Sequence, residues 1–280
     1  MSNEISVDLH LHTTYSDGVL SPKDLVNLCY ENGLKYISIT DHDCTDAIQE
    51  SIDIAKEIGQ IEVIPGIELS SQNEMHILGY YIDFKDTRLQ KILSEFRNDR
   101  VSRTKETISL LKQLGVNIDW KVVKSFAGDG TVGRPHIAKA MISGGFVKSF
   151  KEAFDIYLGK DGLAYIGKVK MTPKGAIELI NMLGGVSVLA HPTFCMEGDD
   201  DQSIRIFEQT LIELKSYGLK GLEVYYKNYS LDQVSMLKRL AETNKLICAG
   251  GSDYHGNGES DEVLPGLVGP PVEDFLLLGN

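Results

Sequence analysis

The sequence predicts an α/β protein whose strands close into a barrel, with an all-helical insertion. Three observations support this fold class. Short β-rich runs alternate with helical patterns at both ends of the 280-residue chain, which is typical of a parallel sheet with right-handed crossovers. About seven such strands can be counted, enough for closure into a barrel. Polar residues collect where these strands end, and barrel active sites lie at the carboxyl ends of strands.

The first part of the chain alternates strands and helices. Ser21 fits the N-cap of the first helix, Pro22 fits its first turn, and Asn32-Gly33 fits its end. Pro65-Gly66 is expected to break one extended run into two. The predicted strands cover residues 5–10, 36–40, 61–64, 68–70 and 75–82, and the predicted helices cover 22–31 and 45–58.

The middle of the chain differs from its two ends. Apolar residues recur at helical spacing from about residue 87 to 114, and shorter helical patterns follow near 120–126, 134–143 and 150–158. The alternation then resumes, with helices near 172–183, 204–217 and 231–243 and strands near 186–190, 222–225 and 246–249. We therefore expect a barrel formed by residues 1–84 and 166–280, and a helical insertion over 85–165 that acts as a substrate cap.

Charge and composition exclude several classes of partner. The formal net charge of −12 disfavours long-range attraction to a nucleic-acid duplex, so duplex DNA is not an expected partner. Bound cations can still reverse the field inside a pocket and attract phosphate locally. No apolar run approaches the roughly 20 residues of a membrane span, and no signal-peptide pattern is present. We expect a cytoplasmic protein without a membrane partner.

Histidines and carboxylates follow most of the predicted strands. His10 and His12 are two residues apart at a strand end, so their side chains should point the same way, and Leu9 and Leu11 the other way. One histidine at a strand end is more often an ordinary hydrogen-bonded or surface residue, but six of the seven histidines lie in or beside strands. The candidate ligands are His10, His12, Asp17, His42, Glu68, His76, His191, Asp253 and His255.

The ligand types indicate the kind of metal. Imidazole and carboxylate together suit manganese, iron or zinc, whereas calcium prefers oxygen ligands alone. More than six candidate ligands indicate more than one ion, so we expect two or three. Ions about 3.5–4 Å apart suit in-line attack on phosphorus by a bridging hydroxide, which is the expected nucleophile. No side chain is assigned as a catalytic acid or base.

Taken together, the motifs resemble those of the PHP (polymerase and histidinol phosphatase) superfamily of phosphoesterases. They occur in the family's order and span residues 7 to 256. The resemblance implies a distorted (β/α)7 TIM-like barrel with a trinuclear metal cluster. The matching motifs are His10-Leu11-His12, Tyr15-Ser16-Asp17-Gly18, Thr40-Asp41-His42-Asp43, Glu68, His76, Ala190-His191-Pro192 and Gly251-Ser252-Asp253-Tyr254-His255.

The resemblance also implies which ligands hold which ion. Glu68 would bridge two ions, and many family members carry His where this chain has Asp17. Asp41 and Asp43 are expected outside the ligand shell, where they would orient ligand histidines. The implied sets are His10, His12, Glu68 and Asp253 for the first ion, Asp17, His42 and His255 for the second, and Glu68, His76 and His191 for the third.

The insertion points to one branch of this superfamily. Gly133-Arg134-Pro135-His136 and the segment ending at Lys168 resemble the 3′,5′-nucleoside bisphosphate phosphatases and related RNA 5′-end exonucleases. Arg134, His136 and Lys168 are the candidate substrate contacts, and a plain surface role is the alternative for Arg134 and Lys168.

The expected reaction is removal of the 3′-phosphate from a small nucleoside 3′,5′-bisphosphate. One alternative is 5′–3′ exoribonuclease activity on short RNA, for which Tyr225 and Tyr226 are candidate stacking residues. Histidinol-phosphate phosphatase activity is another alternative. A non-catalytic PHP binding module is the third, and the presence of every ligand position argues against it.

Overall fold

In the computed structural model, which describes residues 5–128, 132–167, 171–258 and 262–279, seven strands form one sheet in chain order. The chain divides into two units, one made of Met1–Leu89 with Lys170–Asn280 and the other of Gln90–Val169. All seven strands belong to the first unit. They are β1 Val7–Leu11, β2 Tyr36–Ile39, β3 Glu62–Ser70, β4 His76–Tyr80, β5 Val186–Leu189, β6 Gly221–Tyr226 and β7 Ile247–Gly251.

The sheet is mixed, and in this respect the expectation of a parallel sheet is wrong. β4 runs antiparallel to both β3 and β5, while all other neighbouring pairs are parallel. The connection between Ser70 and His76 is too short for the crossover that a parallel pair requires, so the chain must reverse there. The reversal brings the first residue of β4 to the rim where β3 ends.

The predicted break at Pro65-Gly66 is also wrong, because β3 continues through both residues. Pro65 pairs with Ile39 of β2, and the next residue meets that strand closely. A Cβ atom at Gly66 would lie 2.1 Å from the Ser38 Oγ, so only glycine fits at this position. The two residues therefore serve close strand packing rather than a turn.

β1 contains a bulge that breaks the expected alternation. The register pairs Asp8 with Ile37 but Leu11 with Ile39, so β1 has one extra residue. Leu9 consequently packs with the barrel core and Leu11 packs under the helices, although both were expected on one face. Bulges beside active sites commonly re-aim a side chain.

The barrel is nearly closed between β1 and β7. The His12 amide donates to the Tyr254 carbonyl at 3.0 Å, just past the end of β7. A Cβ atom at Gly251 would lie 2.4 Å from the His10 backbone nitrogen, so glycine permits this approach. The buried Asp8 carboxylate accepts from the Ser252 amide at 3.0 Å and fills part of the seam.

Helices cover the outside of the barrel and close its lower end. Leu25, Val26 and Ala55 pack on the outer face of the first strands, while Phe275 and Leu278 close the interior core. The Ser21 cap predicted from sequence is confirmed, since its Oγ accepts from the Asp24 amide. The helices of this unit are α1 Pro22–Glu31, α2 Ile48–Ile58, α7 Pro173–Met182, α8 Asp201–Ser216, α9 Leu231–Asn244 and α10 Val272–Leu278.

The second unit is helical and has its own hydrophobic core. Leu111, Val123, Ile137, Met141 and Leu158 are among its buried residues. No helix in the described ranges combines the length and the apolar character that a membrane crossing requires. The helices of the second unit are α3 Thr87–Gln113, which begins in the first unit, α4 Trp120–Ala127, α5 Arg134–Ser143 and α6 Phe150–Ala153. The last of these continues as a π-helical turn over Phe154–Leu158.

Candidate metal centre

The predicted ligands lie at one rim of the barrel. The parallel strands bring their carboxyl ends to this rim, and β4 brings its amino end because it runs in the opposite direction. His76, the first residue of β4, pairs with Ser70 at the end of β3. The side chains that meet here are His10, His12, Asp17, His42, Glu68, His76, His191, Asp253 and His255.

Glu68 lies at the centre of this group. Its side chain is buried, and each carboxylate oxygen faces different rings. The Oε1 atom lies 2.8 Å from His76 Nδ1 and 3.1 Å from His191 Nε2. The Oε2 atom faces three other rings, at 3.0 Å from His42 Nδ1 and 3.3 Å from both His10 Nε2 and His12 Nε2. Five rings thus surround one carboxylate, which suits a ligand shared between ions.

The two oxygens of Asp253 have different surroundings. Oδ1 lies 3.1 Å from His12 Nε2 and 3.3 Å from His10 Nε2. Oδ2 accepts from the Tyr226 hydroxyl at 2.7 Å and lies 3.1 Å from Lys227 Nζ. The backbone of Asp253 is left-handed, with φ +50°, a conformation that is held only where the surroundings require it. Tyr226 and Lys227 therefore hold Oδ2, and Oδ1 is directed at the histidines.

Asp17 forms the open end of the group. Its carboxylate oxygens lie 3.4 Å from His255 Nε2, 3.6 Å from His12 Nδ1 and 3.7 Å from His42 Nε2. The Asp17 side chain is 26 % exposed, whereas the His12 side chain has no exposure. Solvent therefore reaches the Asp17 carboxylate.

Proximity groups the donor atoms somewhat differently from the implied ligand sets. His12 and His42 each occur in two groups, and His191 faces Glu68 without belonging to any of the three. The assignment of ligands to individual ions stays a prediction. The groups whose donor atoms all lie within 4.8 Å of one another are His12, Asp17, His42 and His255, then His10, His12 and Asp253, then His42, Glu68 and His76.

The carboxylates of the site are held in their charged form. Burial alone would raise the pKa of Glu68, but the neighbouring His42, His76 and His10 hold it well below its usual range. Burial also opposes ionisation of Asp253, and the rings of His10, His255 and His12 lower the pKa of this carboxyl well below its usual range. Ionised carboxylates are the form that binds a cation.

The pKa shifts of three ligand histidines differ in direction. Burial lowers the pKa of His42 to about 3, against the opposing pull of Glu68 and Asp17. Burial would also lower the pKa of His255, but the Asp17 carboxylate outweighs it and raises that pKa to about 10. In the same way, Glu223 and other carboxylates outweigh burial and raise the pKa of His10 well above its usual value.

Unpartnered polar atoms mark the site as one that fits cations. Buried donors and acceptors are nearly always hydrogen-bonded, and each exception requires a physical explanation. Here several exceptions lie side by side on imidazoles and carboxylates, which are the ligands that manganese, iron and zinc accept. The buried atoms without a hydrogen-bond partner among the described residues include His10 Nε2, His12 Nδ1 and Nε2, Asp17 Oδ1, His42 Nδ1, Glu68 Oε2 and His191 Nδ1.

Glu223 is a functional residue that the sequence analysis missed. It is fully buried in β6, where Oε1 lies 2.9 Å from His10 Nδ1 and Oε2 accepts from the His191 amide. A carboxylate at this distance keeps the proton on Nδ1 and turns His10 Nε2 toward Glu68. The available signal was a lone acidic residue within the apolar strand pattern Gly221–Tyr226, because a charge buried in a strand requires a partner.

Tyr225 and Tyr226 do not have the predicted stacking role on an open surface. Tyr226 is buried, and burial together with the Asp253 charge raises the pKa of its hydroxyl, so that it stays a donor. The Tyr225 hydroxyl donates to Asp274 Oδ2 at 2.8 Å, on α10. The two rings lie on opposite faces of β6, and each hydroxyl donates to a carboxylate of the protein itself.

Asp41 and Asp43 accept hydrogen bonds from neighbouring loop and strand residues. Asp41 accepts from the Thr13 amide at 2.7 Å, from the Thr13 hydroxyl at 2.6 Å and from the Ser16 hydroxyl. Asp43 accepts from the Ser70 amide at 2.9 Å. The hydrogen bonds of Asp41 fix the loop that carries Asp17, and an orienting role of either carboxylate toward ligand histidines stays a prediction.

Arg134 and His136, two of the three predicted substrate contacts, lie in the helical unit. Arg134 Nη1 donates to the Leu158 carbonyl at 3.1 Å, and its guanidinium lies over the rings of Phe154 and Tyr165. His136 is buried, and its Nδ1 accepts from the Gly133 amide at the start of α5. Lys168 lies outside the described residues. Their roles in substrate binding stay predictions.

Comparisons with known proteins identify relatives over most of the chain. The model of the PHP domain matches residues 8–158. A 5′-3′ exoribonuclease of Haemophilus influenzae is 33% identical over 89% of this chain and 89% of its own length. A 3′,5′-nucleoside bisphosphate phosphatase of Chromobacterium violaceum is 27% identical over 91% of this chain and 88% of its own length.

Solved structures share the whole fold. A protein of Bifidobacterium adolescentis, assigned as a metal-dependent phosphoesterase, has a TM-score of 0.84 and 27% identity, and the match covers 97% of this chain and 94% of that one. A Chromobacterium violaceum protein described as an amidohydrolase, with bound sulfate, has a TM-score of 0.82 and 26% identity over 95% of this chain and 93% of that one. The barrel, the ligand-rich rim and these likenesses together show that the chain belongs to the PHP domain family and is a metal-dependent phosphoesterase.

Proposed function

We propose that this enzyme hydrolyses phosphate monoesters of small nucleotides, and that its preferred reaction releases the 3′-phosphate of a nucleoside 3′,5′-bisphosphate. The observation that carries the proposal is the convergence of five imidazoles on the two oxygens of Glu68, at the rim of a barrel. The similarity to a nucleoside bisphosphate phosphatase over most of both chains supports the substrate class.

Two or three divalent ions complete the site, and we propose manganese, iron or zinc. When bound, such ions act as Lewis acids and generate the attacking nucleophile from water at neutral pH. The proposed ligands are Glu68 and the eight side chains grouped around it. Three divalent ions would carry twice the charge of the three ligand carboxylates, so an anionic phosphate is attracted to the rim of an otherwise acidic protein.

The protein's own groups prepare the ligands for this role. Glu223 holds the Nδ1 proton of His10, and the Asp253 carbonyl accepts from His255 Nδ1 at 2.9 Å. Each of these contacts fixes the tautomer and directs the opposite ring nitrogen into the site. Tyr226 and Lys227 hold one oxygen of Asp253, which leaves the other oxygen directed at the ligand cluster.

Removal of nucleotides from the 5′ end of short RNA is the second candidate. The 33% identity to a 5′-3′ exoribonuclease supports it, and the same cluster could perform that hydrolysis. The net charge of −12 argues against a long RNA groove, so we expect only short oligonucleotides as substrates. Histidinol phosphate is a weaker candidate. A cytoplasmic location and the substrate-cap role of the helical unit stay predictions.

A substrate panel tests these alternatives. The panel contains adenosine 3′,5′-bisphosphate, 5′-AMP, histidinol phosphate and a short 5′-phosphorylated RNA, each with added manganese and with chelator. We expect metal-dependent phosphate release, fastest from the 3′,5′-bisphosphate. Preference for the RNA would establish the second candidate, and preference for histidinol phosphate would overturn the assignment to nucleotides. Full activity in chelator would contradict the metal-dependent reaction.

A further inference from the structure

Phe194 presents an exposed aromatic ring beside the metal centre. Its ring is 65 % exposed, and its centroid lies 4.8 Å from that of His191 at an interplanar angle of 33°. His191 Nε2 lies 3.1 Å from Glu68 Oε1. The Phe194 ring therefore contacts a side chain of the proposed ligand shell, and much of its surface faces solvent.

The segment that carries this ring is fixed in place. Phe194 lies in a 3₁₀ turn over Pro192–Cys195, and its amide donates to the His191 carbonyl at 3.0 Å. Thr193 donates to the Tyr229 hydroxyl through both its amide and its Oγ1, at 3.3 Å and 2.9 Å. The Phe194 ring also meets Tyr226 edge-on, at a centroid distance of 5.9 Å. A ring held in this way loses little conformational freedom when a ligand stacks on it.

Exposure of a single apolar side chain is common and by itself indicates nothing. Two features set Phe194 apart from other exposed apolar residues of this unit. The residue is aromatic, and it adjoins a proposed ligand at the rim. By contrast, Leu267 is similarly exposed at 67 %, but its turn packs beside Asn32 and Leu34, at the other end of the barrel, where β2 begins.

We propose that Phe194 is the platform on which the base of a nucleotide substrate stacks while its phosphate lies at the metal centre. This inference rests on the proposed function and adds a binding subsite for a planar heteroaromatic base. In a nucleotide only the ribose separates base from phosphate, so one molecule can engage both places. Stacking tolerates different bases because every base has a π-face, and purines, which offer more area, bind more tightly than pyrimidines here.

The test distinguishes the contribution of the base to binding from that of the phosphate groups. Steady-state kinetics compare adenosine 3′,5′-bisphosphate with the matched base-free substrate, methyl riboside 3,5-bisphosphate, for the wild type and for Phe194→Ala, Phe194→Leu and Phe194→Trp. Phe194→Ala should raise KM for the nucleotide about 10-fold, as expected for loss of one stacked base, with kcat nearly unchanged. KM for the base-free substrate should stay the same, and Phe194→Trp should keep the wild-type KM.

The matched control is Leu267→Ala, which removes a similarly exposed apolar side chain at the opposite end of the barrel and should change neither KM. Thermal melting and metal content of each variant identify misfolding, and Phe194→Leu, which keeps apolar bulk without a ring, should resemble Phe194→Ala. Equal changes for both substrates, or no change for either, would overturn the platform. Wild-type enzyme that hydrolyses neither substrate would instead overturn the proposed function.

Discussion

The barrel unit and the helical unit both contain predicted site residues, but the polar side-chain atoms of these residues differ in their hydrogen bonding. In the helical unit, His136 accepts from a backbone amide and Arg134 donates to a carbonyl while covering two aromatic rings. In the barrel unit, atoms such as His12 Nε2 and Glu68 Oε2 are buried without a hydrogen-bond partner among the described residues.

This difference teaches that residue type alone does not identify a cation site. A buried polar atom left without a partner costs free energy, so a group of such atoms indicates a cation site more strongly than the histidines do by themselves. Among the described residues, the buried side-chain atoms of this kind all lie in the barrel unit. We therefore assign the chemistry to the barrel.

The largest effect is expected for Glu68→Gln. The amide keeps the size of the side chain but cannot supply two anionic oxygens to the surrounding rings. Loss of a partner outside the ligand shell costs roughly 10–100-fold, and activity should fall by more than this because Glu68 is itself a proposed ligand. The amount of bound metal, measured by elemental analysis, should fall as well. Glu62→Gln, at the exposed end of the same strand, is the matched control and should behave as wild type. Retention of metal and activity by Glu68→Gln would remove the centre of the proposed site.

A smaller loss is expected for Glu223→Gln. The amide keeps a hydrogen-bond acceptor but removes the charge that holds the His10 ring. Metal affinity or kcat/KM should fall roughly 10–100-fold, measured by metal titration and by phosphate release. Glu213→Gln, on the exposed face of α8, controls for loss of one negative charge. Wild-type affinity in the Glu223 variant would show that His10 needs no partner in β6.

Arg134→Met tests whether the helical unit contributes to substrate binding. If the guanidinium contacts a phosphate, KM should rise about 10-fold with little change in kcat, since a charge-assisted hydrogen bond is lost. Arg134→Lys should recover only part of this loss, because an ammonium group lacks the planar fork. Lys112→Met on α3 is the control for an exposed positive charge. Unchanged KM with lower thermal stability would show that Arg134 serves the helical unit alone.

The smallest signal is the proton release that accompanies metal binding. Coordination requires a neutral imidazole, and the pKa of His255, raised to about 10 beside Asp17, keeps that ring protonated at neutral pH. Metal binding at pH 7 should therefore release on the order of one proton from His255, and this release should vanish as the pH rises above about 10. His42, whose pKa is lowered to about 3, should release none.

Calorimetry in buffers of different ionisation enthalpy measures this release. His255→Gln should lower it at pH 7, whereas His42→Gln should leave the proton count per bound ion unchanged. Equal release at pH 7 and at pH values above 10 would contradict the assignment of the proton to His255.

Much of the site could be predicted because its residues follow the strands of a barrel. The positions of His10, His42, His191 and His255 at strand ends implied that they share one rim, and the structure brings them together. Strand ends are visible in a sequence because turn residues and hydrophobic periodicity mark them.

The features that were missed depend on how the strands pair. The antiparallel direction of β4 follows from a short connection that can be read as either a turn or a loop. The bulge in β1 is a property of its register with β2, and no residue of β1 announces it. Glu223 acquires its role only when β6 places it behind His10, which lies 213 positions away in sequence.

Anomalous diffraction from crystals grown with manganese tests the central claim most directly. We predict two or three peaks about 3.5–4 Å apart, next to Glu68 and within coordination distance of imidazoles from both ends of the chain. Manganese bound elsewhere, with no peak beside Glu68, would contradict it.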